Sequence, residues 1–372
     1  MAIKYLAGER LIGTAAERAA ITTTDYSPNG DLVELARATH SGNTNAYIEL
    51  TNISTTADHI QLLGVILGGG NLEMRLGGTS VESNSYFNRS HCVNSGTPNA
   101  NTNTMVHEFM SNTPSNSNNV RFMVWDIQNV AGREKTGIFR GMDNDNGDTS
   151  SPDSYIGNFS YVQADLSQQL KTFWYEDDNR NTSTPFKTGT EIVVLGQNYT
   201  GTEVSGTGFW ELLGEDVAVS TVDNLEIRNF AKKKYLKFEF QKNTSGSTST
   251  NANARVYVND TLESGTDYHN RYSENGAAVT SNSTNVMYLN VDASGKGTCL
   301  TTGYICNIGN KNKMLIANVL DGNEAGGGNR VSRREYYTSI NNQSDQIDGL
   351  RFYHSGSAGW LAGSSLRVWG HD

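Results

Sequence analysis

Cysteine is scarce, basic charge is outweighed, and long apolar runs are missing from this chain of 372 residues. Its three cysteines, Cys92, Cys299 and Cys306, cannot close into a full set of disulfides and show no paired C-x-x-C spacing for zinc. Cys299 and Cys306 could bridge two strands, or both could stay reduced and half-buried, the commoner state in a cytosolic product. No stretch reaches the roughly 18 apolar residues of a membrane helix. The opening Met1-Ala2-Ile3-Lys4-Tyr5-Leu6 also lacks the charged region and apolar core of a signal peptide. These absences lead us to expect a chain made in a cytosol, without membrane insertion.

Lys and Arg number 29 against 39 Asp and Glu, a net charge of −10. Nucleic-acid affinity rests on clustered Lys and Arg that release counterions, so a nucleic-acid partner is not expected. The one dense basic run, Lys232-Lys233-Lys234, reads as a solvated turn ahead of a strand at Tyr235. Catalytic motifs are missing too. There is no G-x-S-x-G elbow and no H-E-x-x-H, and the histidines at 40, 59, 91, 107, 269, 354 and 371 are scattered. The expectation is a protein that is not an enzyme.

What is present is Gly, Asn, Ser and Thr around a hydrophobic fraction of 36%. That mixture suits short strands joined by polar loops rather than helices. The chain also repeats itself. Glu34 to Leu50 (ELARATHSGNTNAYIEL) aligns without a gap against Glu211 to Ile227 (ELLGEDVAVSTVDNLEI). Strand-like runs follow at His59 to Leu67 and Tyr235 to Phe240, then Leu76-Gly77-Gly78-Thr79 against Val258-Asn259-Asp260-Thr261. Tyr86, Asn88 and Arg89 next match Tyr268, Asn270 and Arg271 as Y-x-N-R, and Gly189 to Gly196 finally matches Gly363 to Gly370. The collinear order predicts a tandem duplication.

Within these pieces the apolar period is two, as at Leu236, Phe238 and Phe240, which predicts half-buried strands. Val120 to Trp125 and Lys313 to Val319 are more continuously apolar and read as central strands covered on both faces. The polar stretches Asn94 to Asn103, Ser111 to Asn119 and Asn243 to Asn253 read as loops. The expected fold is all-β: two tandem antiparallel β-sandwich domains at 27–200 and 207–372, linked through Thr200 to Gly208, with 1–26 as an arm carrying a short helix at Ala15 to Ala20.

Several groups could carry chemistry. Asp143, Asp145 and Asp148 offer oxygen ligands around Gly147, as calcium prefers, although the distal Glu of an EF-hand is missing. The other reading is an Asx-rich turn, and no cofactor is expected beyond that calcium. Tyr86, Asn88, Arg89, Tyr268, Asn270 and Arg271 combine flat rings with forked donors, suited to a ligand or subunit contact, or to bonding neighbouring loops. Glu176-Asp177-Asp178 could pair carboxylates for glycoside cleavage or form a solvated hairpin tip after Phe173-Trp174-Tyr175. Trp125, Trp174, Trp210, Trp360 and Trp369 read as core, with sugar platforms as the alternative.

The closing motif G-S/T-x-I/L-x-V-x-G, the strand Gly349 to Tyr353, the Y-L-x-F of Tyr235 to Phe238 and the V-N-D-T with Y-x-N-R resemble jelly-roll-like domains of tailed-phage and related virus structural proteins. Those domains occur in tail fibres, head fibres and capsid decorations. The opening Ile3 to Arg10 with Gly13-Thr14 resembles the start of virus-like proteins as well. The resemblance implies a virion protein made in the host cytoplasm, docked by its amino-terminal arm to other virion proteins. It also implies a homo-oligomer, with a trimer as the guess from that setting. The competing expectation is a carbohydrate-binding or carbohydrate-cleaving module on a fibre or cell surface, with a host-surface glycan as partner.

Overall fold

A computed structural model describes residues 32–42, 47–51, 53, 57–69, 72–78, 86–94, 97–104, 107–110, 120–143, 152–162, 167–177, 186–198, 208–243, 252–265, 267–274, 280–289, 298–323, 330–342, 344–354 and 359–372. The expected arm at 1–26, with its helix at Ala15 to Ala20, lies outside these residues. Among the described residues the regular structure is all strand, with no helix.

The described residues of the first half form twelve strands: β1 (Val33–Thr39), β2 (Tyr47–Leu50), β3 (His59–Leu67), β4 (Leu72–Gly77), β5 (Tyr86–Asn94) and β6 (Thr97–Thr104), then β7 (His107–Met110), β8 (Val120–Gln128), β9 (Lys135–Asp143), β10 (Asp153–Val162), β11 (Thr172–Asp177) and β12 (Glu191–Gln197). The second half holds β13 (Glu211–Val217), β14 (Asn224–Ile227), β15 (Tyr235–Asn243), β16 (Ala252–Val258), β17 (Thr261–Leu262), β18 (Tyr268–Glu274) and β19 (Thr280–Thr284). It continues with β20 (Met287–Leu289), β21 (Thr298–Cys306), β22 (Lys313–Asn323), β23 (Arg330–Ile340), β24 (Ile347–His354) and β25 (Ser365–His371).

The two halves repeat one topology. The major sheet of the first runs β1-β12-β3-β8-β9-β10-β5-β6, and that of the second β13-β25-β15-β21-β22-β23-β18-β19. The minor sheets run β2-β11-β4-β7 and β14-β24-β16-β17, with β20 added to β16. Each minor sheet covers its major sheet as a sandwich whose core follows the period of two. In β15, Leu236, Phe238 and Phe240 are buried while Lys237 and Glu239 are half-buried. One expectation is corrected: Thr97 to Asn103, read as loop for its Asn and Thr, forms β6 against β5, with an irregular register.

The closing motif is explained by its bonds. Gly189 and Gly363 take φ of 95° and 86°, a region that other residues rarely adopt. The next residue is a hydroxyl clamp. Thr190 Oγ1 accepts from Leu67 N at 2.9 Å and donates to Leu67 O at 3.2 Å, and Ser364 Oγ repeats both bonds with Asn243 at 2.9 and 3.3 Å. At the far end, Gly196 and Gly370 lie under bulges in β1 and β13, where Leu35 and Leu213 are squeezed out of register. A Cβ on Gly196 would stand 2.5 Å from Leu35 Cδ1, and one on Gly370 2.7 Å from Leu213 Cδ1.

The halves also share a core of their own. Leu63, Val65, Val120, Phe122, Val124 and Met142 of the first major sheet pack on Tyr235, Cys306, Met314, Ile316 and Tyr337 of the second. The continuous apolar runs are thus covered on both faces, the second covering being the other half. A polar rim joins the same surfaces. Tyr235 Oη donates to Glu191 at 2.7 Å, Lys234 Nζ lies 3.0 Å from that carboxylate, and Gln61 Nε2 donates to Tyr304 Oη at 3.1 Å. The basic run is therefore more than a solvated turn: Lys234 ties the halves together, Lys232 pairs with Asp345, and Lys233 pairs with Glu211 and Asp372.

Cys299 and Cys306 are free and buried, Cys299 in the second sandwich and Cys306 in the shared core. Seven residues apart on β21, they point to opposite faces and cannot bridge. Burial pushes the Cys306 thiol up to about 12.

Candidate functional site

Major sheets packed back to back leave the two minor sheets on the outside of a four-layer stack, so their outward faces are the surfaces on offer. With layers about 10 Å apart, those faces stand about 30 Å from each other. Each is set by alternation. In the first half Ile48, Phe173, Tyr175 and Met74 turn inward, which sends Tyr47, Glu49, Trp174, Glu176 and Arg75 outward. In the second, Leu225, Leu350, Phe352, Ala254 and Val256 turn inward, sending out Glu226, Arg351, Tyr353, Arg255 and Tyr257.

Strand pairing puts Glu49, Trp174 and Arg75 level across β2, β11 and β4, and Glu226, Arg351 and Arg255 level across β14, β24 and β16. A Glu on the first strand and an Arg on the third therefore occupy the same sheet positions in both halves. The middle residue differs, Trp174 in one and Arg351 in the other.

The surroundings differ as well. On the first face the rings of Tyr47 and Trp174 lie 5.1 Å apart at 39°. Glu49 is exposed, and Arg75 forms an ion pair with the buried Glu176. On the second face the Tyr353 ring carries Arg255 at 5.3 Å and Arg351 at 5.8 Å, while Arg228 lies 4.6 Å over Tyr257. Tyr257 Oη donates to Glu226 Oε2 at 2.6 Å, and burial followed by that carboxylate raises its pKa. Gly349 makes room, since a Cβ there would stand 2.9 Å from Tyr257 Cβ. Lying over tyrosine rings, these guanidinium groups are pre-positioned as donors for acceptors.

The contact residues expected from sequence lie elsewhere. Tyr268 and Asn270 are fully buried. Tyr268 Oη accepts from Val256 N at 3.1 Å. Asn270 Nδ2 donates to Thr284 Oγ1 at 3.1 Å and Val286 O at 3.0 Å, and its Oδ1 accepts from Thr338 at 2.9 Å. With no face left for a ligand or a neighbouring subunit, these two are corrected to structural residues. Arg271 is half-buried on the opposite face of β18.

Tyr86, Asn88 and Arg89 lie on β5, where only the backbone is described. Its ladder places Phe87 opposite Tyr161 and Arg89 opposite Phe159, while Tyr268 pairs with Ile340 and Asn270 with Thr338. Followed through β9 and β22, the equivalents of Tyr268 and Asn270 are Phe87 and Arg89. The Y-x-N-R match is therefore offset by one residue, and in a strand one residue changes the face.

Asp143 is buried and engaged, with Arg121 Nε 3.8 Å from its carboxylate and Tyr155 Oη donating at 3.2 Å. It belongs to an internal pair, while Asp145 and Asp148, the other two residues of the expected calcium turn, lie outside the described residues. Among the described residues no group of three His, Cys, Asp or Glu could hold a metal ion. Glu176 is no solvated tip either, being buried against Arg75. Trp125, Trp210 and Trp360 are core, as expected, and Trp174 and Trp369 are half-buried.

Two repeated polar anchors escaped the sequence reading. Asn129 and Asn307, each one residue past a central strand, are buried. Asn307 Nδ2 donates to Lys233 O at 2.9 Å and Ile347 O at 3.0 Å, and Ile347 N donates to its Oδ1 at 2.7 Å. Asn129 makes the equivalent bonds to Ala57 O at 3.0 Å, Leu170 O at 3.4 Å and Leu170 N at 2.7 Å. Lys135 and Lys313, each first in its strand, donate to the carbonyls of Val130 and Arg133 and of Lys311 and Asn342. Both pairs would have emerged from carrying the duplication through β8 and β9.

No family model matches the chain, and no curated protein matches it. Among solved structures it is similar to domains LG4-5 of the mouse laminin alpha1 chain, at 11% identity over 91% of this chain and 92% of that one, with a TM-score of 0.18. It is also similar to an engineered GH43 glycoside hydrolase with endo-xylanase and exo-arabinofuranosidase activity, at 10% identity over 79% of this chain and 73% of that one, with a TM-score of 0.20. At such TM-scores neither likeness carries an argument about function.

Proposed function

We propose that the chain is a non-catalytic structural protein that self-associates on the surface of a particle, as a virus fibre, tail or capsid-decoration subunit does. The observation that carries this reading is the four-layer stack, in which a shared core fuses two copies of one sandwich and leaves two related faces pointing in opposite directions. A body of that kind is suited to linking neighbours. Among the described residues three buried acids are occupied internally: Glu191 by Lys234 and Arg37, Glu176 by Arg75, Asp143 by Arg121. The motifs resembling phage structural proteins favour the particle setting. The test is the mass of the purified chain by light scattering, beside a chain lacking residues 1–26. Oligomers from both support the proposal; monomers from both at all concentrations overturn it.

A second reading is favoured by one feature, the half-buried Tyr47 and Trp174 rings beside Glu49 and Arg75. Rings next to forked polar groups suit a glycan. Binding on a glycan array that is lost in Trp174→Ala would move the assignment to a carbohydrate-binding module.

A further inference from the structure

We propose that successive copies of the chain associate head to tail, the outward minor sheet of the first half of one copy seating on that of the second half of the next. This rests on the self-association proposed above and names the faces that perform it.

The argument is charge complementarity between faces built on one register. On the first-half face Arg75 is spent on the buried Glu176, which leaves the exposed Glu49 as the outward carboxylate. On the second-half face Arg228, Arg255 and Arg351 outnumber Glu226 and Asp260, an excess of basic charge in a chain whose net charge is −10. Arg228 and Arg351 have side chains 42% and 32% exposed, so both remain partly accessible while lying over tyrosine rings.

The partner face answers in kind. Glu49 is exposed on the edge strand β2 beside the Tyr47 and Trp174 rings, with Trp174 between it and the Arg75 pair, a carboxylate acceptor flanked by aromatic surface. Arginine forks and tyrosine rings meeting carboxylates and aromatic rings make a strong class of contact. Because the two faces differ and lie at opposite ends of one stack, the contact is heterologous, and it propagates from copy to copy instead of closing as a twofold pair.

The experiment reads mass against concentration by light scattering for the full chain, Glu49→Arg, Arg351→Glu and an equimolar mixture of the two variants. The wild type is read first: if it stays monomeric, the function proposed above fails with this inference. If it associates, each variant alone is expected to weaken association by about tenfold or more. The mixture then restores at least a dimer, because Arg351 is intact in one variant and Glu49 in the other. Unchanged unfolding temperatures show that the variants are folded, and Arg351→Gln substitutes where Arg351→Glu does not fold. Wild-type association that persists in both variants overturns the assignment of faces while leaving self-association standing. Loss of glycan binding in the variants without a change in mass likewise overturns it.

Discussion

Asn129 and Asn307 each close three segments with one side chain, and the chemistry requires an amide. The Nδ2 donates to carbonyls of two loops while Oδ1 accepts from the second of them. Leucine fills the space and satisfies none of these groups; aspartate repels the carbonyls. Removing such a hub leaves buried backbone groups without partners, each costing about 1–3 kcal/mol. Asn307→Ala is expected to destabilise the chain by about 3 kcal/mol, read by denaturant unfolding, and Asn129→Ala by a similar amount. Glu191 is the other residue that decides much. Burial alone would raise its carboxyl, but Lys234, Tyr235 and Thr39 outweigh that and hold it below the ordinary 4.5. Its contribution is complete above pH 4.5 and disappears as pH falls through the lower folded value. Unfolding free energy measured from pH 7 down to 3 should therefore fall less steeply in Glu191→Gln than in the wild type, from a lower starting value. Neither residue was legible as an anchor, because an isolated Asn or Glu in sequence reads equally well as surface.

At the scale of elements, the G-S/T-x-I/L-x-V-x-G motif was visible as a repeat, while its reason lay in a partner strand more than a hundred residues away. Gly196 is there for Leu35, whose side chain the β1 bulge drives across the sheet. Gly196→Ala should cost about 1–3 kcal/mol by overpacking. Trimming the intruder tests the cause: in Leu35→Ala/Gly196→Ala the added cost of the alanine should shrink, giving a measurable coupling in a double-mutant cycle. Alternation made strands such as β15 and the run Val120 to Trp125 legible, since period and burial agree there. Where the pattern was weak, the reading failed. β6 is strand despite its Asn and Thr, and the Y-x-N-R match slipped by one residue because four letters do not fix a register that the β9–β10 and β22–β23 ladders determine. The outward faces were only half legible, for the residues were visible but their common rows depend on pairing between distant strands.

For the whole molecule, the sequence announced two sandwiches and concealed that they are one body. The contact between them is not twofold. Leu63, Val65, Phe122 and Val124 lie in the shared core, while the ladder-equivalent residues of the second half are Glu239, Gln241, Leu300 and Thr302, outside it. An unsymmetrical contact between two like domains would propagate if both presented the same apolar rows. Polar replacement in the second copy stops it after one contact, leaving Leu300 and Leu320 exposed at 38% and 46% where Phe122 and Met142 are covered in the first. Fusion through this core has a thermodynamic consequence, since each half loses its cover when the other unfolds. The wild type should unfold in a single transition that tryptophan fluorescence and far-ultraviolet circular dichroism report together. Phe122→Asp puts a charge at the centre of the shared core, on the side away from the sandwich interior, so it should uncouple the halves rather than dissolve either sandwich. Two resolved transitions in that variant, against one in the wild type, are the expected result; two transitions in the wild type itself would show that the core seen between the halves does not bind them into one cooperative unit.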